Sequence, residues 1–177
     1  MTNKIETYIE LLKEYNEKTN IYSKKAYDKL EFHINDSLTL ANIITNTPIK
    51  VVDFGSGSGL PAIIIALTNT KNTVYAIESK SRKTQFLDHI KSKLNLTNLT
   101  IIQKNIVEWT RETKLKADVI TAKAFGPKEK IHPLAKKISR KHTQLYIPIS
   151  TSQKEEHPQH QIITKEDFHY LNIPCFT

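Results

Sequence analysis

Val51-Val52-Asp53-Phe54-Gly55-Ser56-Gly57-Ser58-Gly59 is the stretch of sequence that decides the fold of this chain. Its first half is apolar and rich in β-branched residues, which predicts a buried strand over 49–54. The glycines then end the strand, because they permit a tight turn and let a ligand approach the backbone closely. Residues 60–67 predict a helix that tolerates Pro61 in its first turn. In a parallel α/β sheet, such a strand–loop–helix junction is where nucleosides bind.

Strand and helix patterns alternate on both sides of this junction. This alternation predicts an α/β fold, a Rossmann-like and mostly parallel central sheet with helices on both faces and an N-terminal helical extension. We expect one domain over 1–177, with helices in 1–47, the core in 48–150 and a divergent C-terminal segment in 151–177. The polar stretch 151–161 predicts an exposed or poorly ordered loop. The other predicted strands are 73–77, 100–103, 118–122 and 144–149, and the other predicted helices are 4–18, 30–44, 82–94 and one within 128–141.

Composition limits the class of protein. A chain of 177 residues, 38% hydrophobic and 25% charged, is typical of a globular domain with a sizeable core. We expect a cytoplasmic protein, because the sequence has neither an apolar run of about 18–20 residues nor a signal-peptide pattern. We also expect a monomer. Cys175 is the only cysteine, which excludes an intramolecular disulfide and a zinc site of several thiolates. We predict no metal site, since Glu156, His157 and His160 lie in the polar loop without an ordering partner.

The net charge of +8 favours a polyanionic partner. Much of it falls in 123–142, which has Glu129 as its only acid. This basic segment is either a solvated surface or a surface that contacts phosphates and releases counterions. Lys24 and Lys25 are further candidates for contact with RNA. The basic residues of the segment are Lys123, Lys128, Lys130, Lys136, Lys137, Arg140 and Lys141.

Glu78 directly follows the second predicted strand, 19 residues after Gly59. A carboxylate at this position can accept hydrogen bonds from both ribose hydroxyls of an adenosine; the alternative is a solvated residue at a strand end. The third glycine comes one residue too early for the usual dinucleotide loop, Gly-x-Gly-x-x-Gly. Asp53 is poorly placed for a pyrophosphate but suits a sulfonium or amine. The sequence therefore favours S-adenosylmethionine (SAM) over NAD.

Several motifs resemble those of the bacterial RsmG family, also called GidB, which methylates N7 of a guanine in small-subunit ribosomal RNA. The resemblance covers roughly residues 8–147. The Leu-Pro extension of the glycine loop and the upstream His-x-x-Asp-Ser-Leu are the most particular to this family. The motifs are Tyr15-Asn16-x-x-x-Asn20, His33-Ile34-Asn35-Asp36-Ser37-Leu38, Asp53-x-Gly55-Ser56-Gly57-x-Gly59-Leu60-Pro61, Lys83-x-x-Phe86-Leu87 and Lys123-Ala124-Phe125.

The resemblance implies a class I SAM-dependent methyltransferase that acts on 16S ribosomal RNA in the small ribosomal subunit. N7 carries a lone pair and no proton, so we expect a positioning mechanism without a catalytic base. His33 is interpreted as a hydrogen-bonded packing histidine rather than a base, and Phe125 either stacks on an exposed base or belongs to the core. The implied SAM contacts are Gly55, Leu60, Glu78, Ser79, Lys80, Ile106 and Val107.

Two departures from the family pattern concern function. Lys123 stands where the family has an arginine; lysine keeps the charge but lacks the planar fork, so Lys123 is a candidate for the donor carboxylate or a substrate phosphate. Pro148-Ile149-Ser150 replaces the usual Leu-Lys-Gly. These departures leave a non-catalytic RNA-binding relative as one alternative. A methyltransferase acting on a small molecule or protein would share every cofactor residue, and an NAD oxidoreductase is the third alternative, disfavoured by the glycine spacing.

Overall fold

The computed structural model describes residues 3–175, which form a seven-stranded sheet covered by helices. The strand order is β3-β2-β1-β4-β5-β7-β6, and β7 runs antiparallel to both of its neighbours. The order reverses direction at β1 and β4, so the ligand-binding crevice is expected outside the carboxyl ends of these strands. The strands are β1 (Lys50–Phe54), β2 (Thr73–Glu78), β3 (Leu99–Gln103), β4 (Ala117–Thr121), β5 (Ser139–Ile149), β6 (Gln161–Lys165) and β7 (Phe168–Pro174).

Helices cover both faces of the sheet, as predicted. One apolar core packs α1 to α4 against one face, and a second packs α5 and α6 against the other. Within 3–175 no helix has the length and apolar character needed to cross a membrane. The helices are α1 (Asn3–Lys18), α2 (Leu30–Ile43), α3 (Ala62–Thr68), α4 (Ser81–Leu94), α5 (Ile106–Glu112) and α6 (Lys128–Lys137), with short 3₁₀ helices at Lys24–Lys29 and Thr151–Glu156.

The glycine loop is longer than predicted, and α3 begins at Ala62 instead of residue 60. Gly59 has a φ of +95°, and a Cβ there would lie 2.5 Å from Ile63 Cδ1. The turn therefore extends through Pro61, because the backbone at Gly59 has a positive φ and cannot belong to the helix. The helix that follows is almost entirely buried.

The C-terminal part of the chain differs most from the prediction. β5 begins at Ser139 and is 11 residues long, so the predicted helix within 128–141 ends at Lys137. The prediction of an irregular loop over 151–161 is wrong in part. Ser150 and Gln153 form a capping box that starts the 3₁₀ helix, and Gln161 already belongs to β6. β6 and β7 complete the sheet as an antiparallel hairpin.

Candidate active site

A cleft of about 360 Å³ lies at the carboxyl ends of β1, β2 and β3. It is where the glycine loop, the residues after β2 and the start of α5 converge, as expected for a nucleoside site in this topology. Five of the residues predicted to bind the cofactor line it: Gly55, Glu78, Ser79, Lys80 and Ile106. The others that line it are Ile77, Lys83, Lys104, Asn105, Ala124 and Phe125.

The Glu78 carboxylate ties the glycine loop to the end of β2. Its Oε2 accepts a hydrogen bond from the Gly57 N–H at 3.0 Å, and its Oε1 accepts one from the Lys80 N–H at 2.9 Å. The residue is only 6% exposed, so the carboxylate is held in one position. An ionised carboxylate offers about four lone-pair sites. The Ser79 hydroxyl donates a longer bond to Oε1 at 3.5 Å, so a free lone pair remains on Oε2, and a ligand hydroxyl can replace Ser79 on Oε1.

Gly55 and Phe125 form a close contact at the floor of the cleft. Gly55 has a φ of +70°, and a Cβ there would lie 2.4 Å from Phe125 Cδ2. The Phe125 ring also packs against Phe54, with the ring centroids 6.2 Å apart. Phe125 thus belongs partly to the core and partly to the cleft wall. Only glycine at position 55 leaves room for this ring.

Asp53 lies at the end of β1, fully buried beneath the glycine loop. Its Oδ1 accepts a hydrogen bond from the Thr121 hydroxyl at 2.7 Å. Its Oδ2 is buried and has no hydrogen-bond partner among residues 3–175. Burial raises the pKa of Asp53 to about 6. A buried carboxylate oxygen without a donor is costly, and a cationic group of a ligand would offset that cost.

Three predicted cofactor residues do not line this cleft. The Leu60 side chain is buried in the core, and Val107 is 37% exposed on α5. Lys123 Nζ forms an ion pair with Asp36 Oδ2 at 2.6 Å and donates to the His33 carbonyl at 3.3 Å. Whether these residues contact a cofactor stays a prediction.

A larger cavity of about 750 Å³ adjoins the cleft at Ala124 and lies beyond the carboxyl ends of β4 and β5. The Asp36–Lys123 ion pair forms part of its wall. Tyr170 of β7 donates its hydroxyl to Asp36 Oδ1 at 2.8 Å and to the Asp36 carbonyl at 2.7 Å. This network joins α2, the segment after β4 and the C-terminal hairpin around one buried carboxylate.

His33 packs between aromatic rings, as the sequence analysis interpreted it. Its ring lies edge-on to Tyr22 and Phe32, and burial lowers its pKa. However, its Nδ1 has no hydrogen-bond partner within 3–175, so the hydrogen bond expected for a packing histidine is absent at this nitrogen. A lowered pKa keeps the imidazole neutral at physiological pH.

The basic segment 123–142 is divided between the two ends of the sheet. Lys128 begins α6 beside the large cavity, where its Nζ donates to His160 Nε2 at 2.9 Å. α6 has 10 residues and is therefore about 15 Å long. It carries Lys137 to the opposite end, where Arg140 pairs with Asp118. Only the beginning of the segment lies near the cleft.

Sequence reasoning missed part of the cleft wall. Asn105 caps α5 by accepting a hydrogen bond from the Val107 N–H at 2.8 Å, yet α5 was not predicted. Asparagine is a preferred N-cap, and Asn105-x-x-Glu108 followed by Trp109 was the available signal. Lys83 and Lys104 reach the cleft from α4 and from the end of β3. Lys83 belongs to the motif Lys83-x-x-Phe86-Leu87, which was not assigned to the site, and no local pattern distinguishes Lys104 from the many exposed lysines.

The sheet order and the position of the cleft define the Rossmann-like, class I methyltransferase fold. Precorrin-6y C5,15-methyltransferase from Geobacter metallireducens shares this fold with a TM-score of 0.61 and 16% identity, over 85% of this chain and 90% of that one. Coclaurine N-methyltransferase, in a structure bound to N-methylheliamine and S-adenosylhomocysteine, has a TM-score of 0.55 and 17% identity, over 63% and 35% of the two chains.

The chain belongs to the GidB family, rRNA small subunit methyltransferase G, whose family model matches residues 1–177. It is 34% identical to ribosomal RNA small subunit methyltransferase G of Orientia tsutsugamushi over 70% of this chain and 60% of that one. It is also 34% identical to the protein of the same name from Fusobacterium nucleatum, over 63% and 49% of the two chains. The chain thus spans about half to two thirds of the length of these relatives. The resemblance predicted from the sequence motifs is confirmed.

Proposed function

We propose that this chain transfers a methyl group from SAM to N7 of a guanine in 16S ribosomal RNA. The observation that carries the proposal is the cleft in which the Glu78 carboxylate lies hydrogen-bonded to the glycine loop. Membership of the GidB family and relatives named for small-subunit ribosomal RNA support the choice of substrate. The small ribosomal subunit is accordingly the proposed partner, and we propose that the chain acts as a monomer.

The residues of the cleft fit SAM in two respects. Glu78 offers a free lone pair on Oε2 to one ribose hydroxyl, and a second hydroxyl can replace the long Ser79 bond on Oε1. Ile106 supplies an apolar wall of the same cleft for an adenine ring. Asp53 does not line the cleft but is buried at the end of β1, before the glycine loop, where its unpaired Oδ2 would favour a ligand that carries a positive charge. NAD fits less well, because its pyrophosphate would approach the buried Asp53 carboxylate. When bound, SAM supplies an electrophilic methyl group on a sulfonium.

The residues of this chain bind and orient the reactants. The guanine N7 lone pair forms the new N–C bond as the S–C bond breaks, and that electron pair stays on sulfur, giving S-adenosylhomocysteine. No proton moves in this step, so the transfer requires no general base. Holding donor and acceptor in line supplies most of the acceleration. Rigid groups serve this purpose, and Glu78 and Phe125 are both fixed by contacts.

Calorimetry with SAM tests the cofactor half of the proposal. Glu78→Gln should weaken SAM binding about 10- to 100-fold, because hydrogen bonds to a charged group contribute about 1.5–3 kcal/mol. Glu14→Gln, which changes an exposed glutamate of α1, is the matched control and should bind SAM like the wild type. Tight binding of NAD with no binding of SAM would contradict the proposal.

Methylation of isolated small ribosomal subunits tests the substrate half. Subunits from cells that lack the gene should accept label from methyl-labelled SAM, and mapping of N7-methylguanine should find one modified position. Free nucleosides and peptide pools should accept none. Label in those pools instead of the subunits would favour a differently targeted methyltransferase. SAM binding without transfer to any acceptor would favour a non-catalytic relative.

A further inference from the structure

The large cavity next to the cleft is lined by an exposed aromatic side chain. Phe32 of α2 is 51% exposed and lines this cavity, while its ring touches Phe168 at the start of β7, with centroids 5.1 Å apart. An exposed ring of this size beside a cavity presents a flat face to a ligand. Bases stack on aromatic rings in this way when they are unstacked from RNA.

The cavity also contains carboxylates that no cation neutralises. Asp36 is paired with Lys123, and Glu129 lies 3.6 Å from Lys128. Two exposed acids that line the cavity, Glu156 and Asp167, form no ion pair with the described residues 3–175, and Asp167 is the one next to Phe168. A phosphate would be repelled by such a carboxylate, whereas a base edge rich in N–H donors would bind it.

Guanine has such an edge, because its N1–H and its exocyclic amino group both donate hydrogen bonds. We infer that this cavity holds the acceptor guanine, with the base stacked on Phe32 and its N1–H and N2–H donors on Asp167. The inference rests on the proposed function and names the specificity residues of the same site.

The position of the cavity agrees with the direction that the reaction requires. N1 and the exocyclic amino group lie on the Watson–Crick edge of guanine and N7 lies on its Hoogsteen edge, so a base held by Asp167 presents N7 away from that carboxylate. The cavity extends to Ala124, which also lines the cofactor cleft. Its volume of about 750 Å³ is within the range of about 300–1,000 Å³ typical of small-ligand sites.

Steady-state methylation of small ribosomal subunits tests the stacking role. Phe32→Leu keeps an apolar side chain against Phe168 but removes the ring, and it should lower kcat/KM about 5- to 100-fold. Phe32→Tyr keeps the ring and should lose far less. Both variants should bind SAM like the wild type, since Phe32 does not line the cofactor cleft. Wild-type kcat/KM in Phe32→Leu would overturn the inference.

Binding of free nucleotides to the protein saturated with S-adenosylhomocysteine tests the carboxylate role. By NMR titration, guanosine 5′-monophosphate should bind more tightly than inosine 5′-monophosphate, which lacks the exocyclic amino group. Asp167→Asn should remove this difference, and Asp88→Asn, an exposed aspartate of α4, should preserve it. Equal binding of the two nucleotides by the wild type would overturn the inference.

The two experiments separate this inference from the proposed function. If the wild type methylates small ribosomal subunits and the Phe32 and Asp167 variants do so equally well, the proposed function is supported and the proposed guanine site is refuted. If the wild type methylates no ribosomal RNA but binds guanosine 5′-monophosphate with the predicted dependence on Phe32 and Asp167, the site stands and the proposed reaction falls.

Discussion

Affinity for SAM should rise with pH between 5 and 7, because the buried Asp53 must ionise to bind a cation. Burial raises the pKa of this carboxyl to about 6. About one tenth of the groups are then ionised at pH 5 and about nine tenths at pH 7. If only the ionised form binds, the apparent Kd falls about tenfold over this range. Calorimetric titrations of the wild type at several pH values measure this change.

Asp53→Asn should bind SAM more weakly at pH 7 and lose the pH dependence. The free energy of unfolding of Asp53→Asn, by contrast, should be higher than that of the wild type. A folded-state pKa above the unfolded value means that the native protein binds more protons between pH 4 and 6, so stability falls as pH rises through that window. The cost above pH 6 is about 3 kcal/mol for two pKa units, and asparagine avoids it. Urea unfolding at pH 7, measured without SAM, should therefore show that Asp53→Asn is more stable than the wild type.

Two results would refute this reasoning: a SAM affinity that is constant from pH 5 to 7, or an equal pH dependence in Asp53→Asn. Titration with S-adenosylhomocysteine identifies the cation involved. This ligand keeps the ammonium group of SAM but lacks the sulfonium. If the pH dependence persists, Asp53 interacts with the ammonium; if it disappears, Asp53 interacts with the sulfonium.

Gly59→Ala should lower the free energy of unfolding by about 2–4 kcal/mol in urea, because a left-handed conformation and an overpacked core add their costs; an unchanged midpoint would contradict this. Tyr170→Phe should cost about 1–3 kcal/mol by the same assay, since it removes both hydroxyl bonds to Asp36. Lys128→Gln should reduce the slope of log affinity for ribosomal RNA against log salt by about 1, whereas Lys137→Gln should not. Equal slopes for both would indicate that the whole basic segment contacts RNA.

The sequence predicted the parallel part of the sheet well, because each of its elements carries a local signal. β1 is buried from Val51 to Phe54 and contains β-branched apolar residues, and the glycines after Phe54 mark the end of that strand. The C-terminal hairpin has no such signal. β6 alternates only weakly, with burial that is at most intermediate, and β7 is buried at six of its seven positions. Its antiparallel direction depends on pairing with β5, which a local pattern does not encode.

The candidate site was predictable to the extent that it follows from strand ends. Glu78 and Gly55 were found because the first residues after parallel strands meet at one edge of the sheet. Lys123 illustrates the limit of this reasoning. Its position after β4 follows from the sequence, but its ammonium group binds Asp36, which is distant in sequence. Ion pairs of this kind are decided by tertiary packing.

Ala124 lines both the cofactor cleft and the large cavity. It has a φ of +51°, an uncommon conformation for a residue with a Cβ. Such strain persists only when the surroundings hold it. Here Lys123 is fixed by Asp36 on one side and Phe125 is fixed against Gly55 on the other. The segment between the proposed SAM cleft and the proposed guanine cavity is thus anchored at both ends. A methyl transfer that depends on alignment requires a rigid segment at this point.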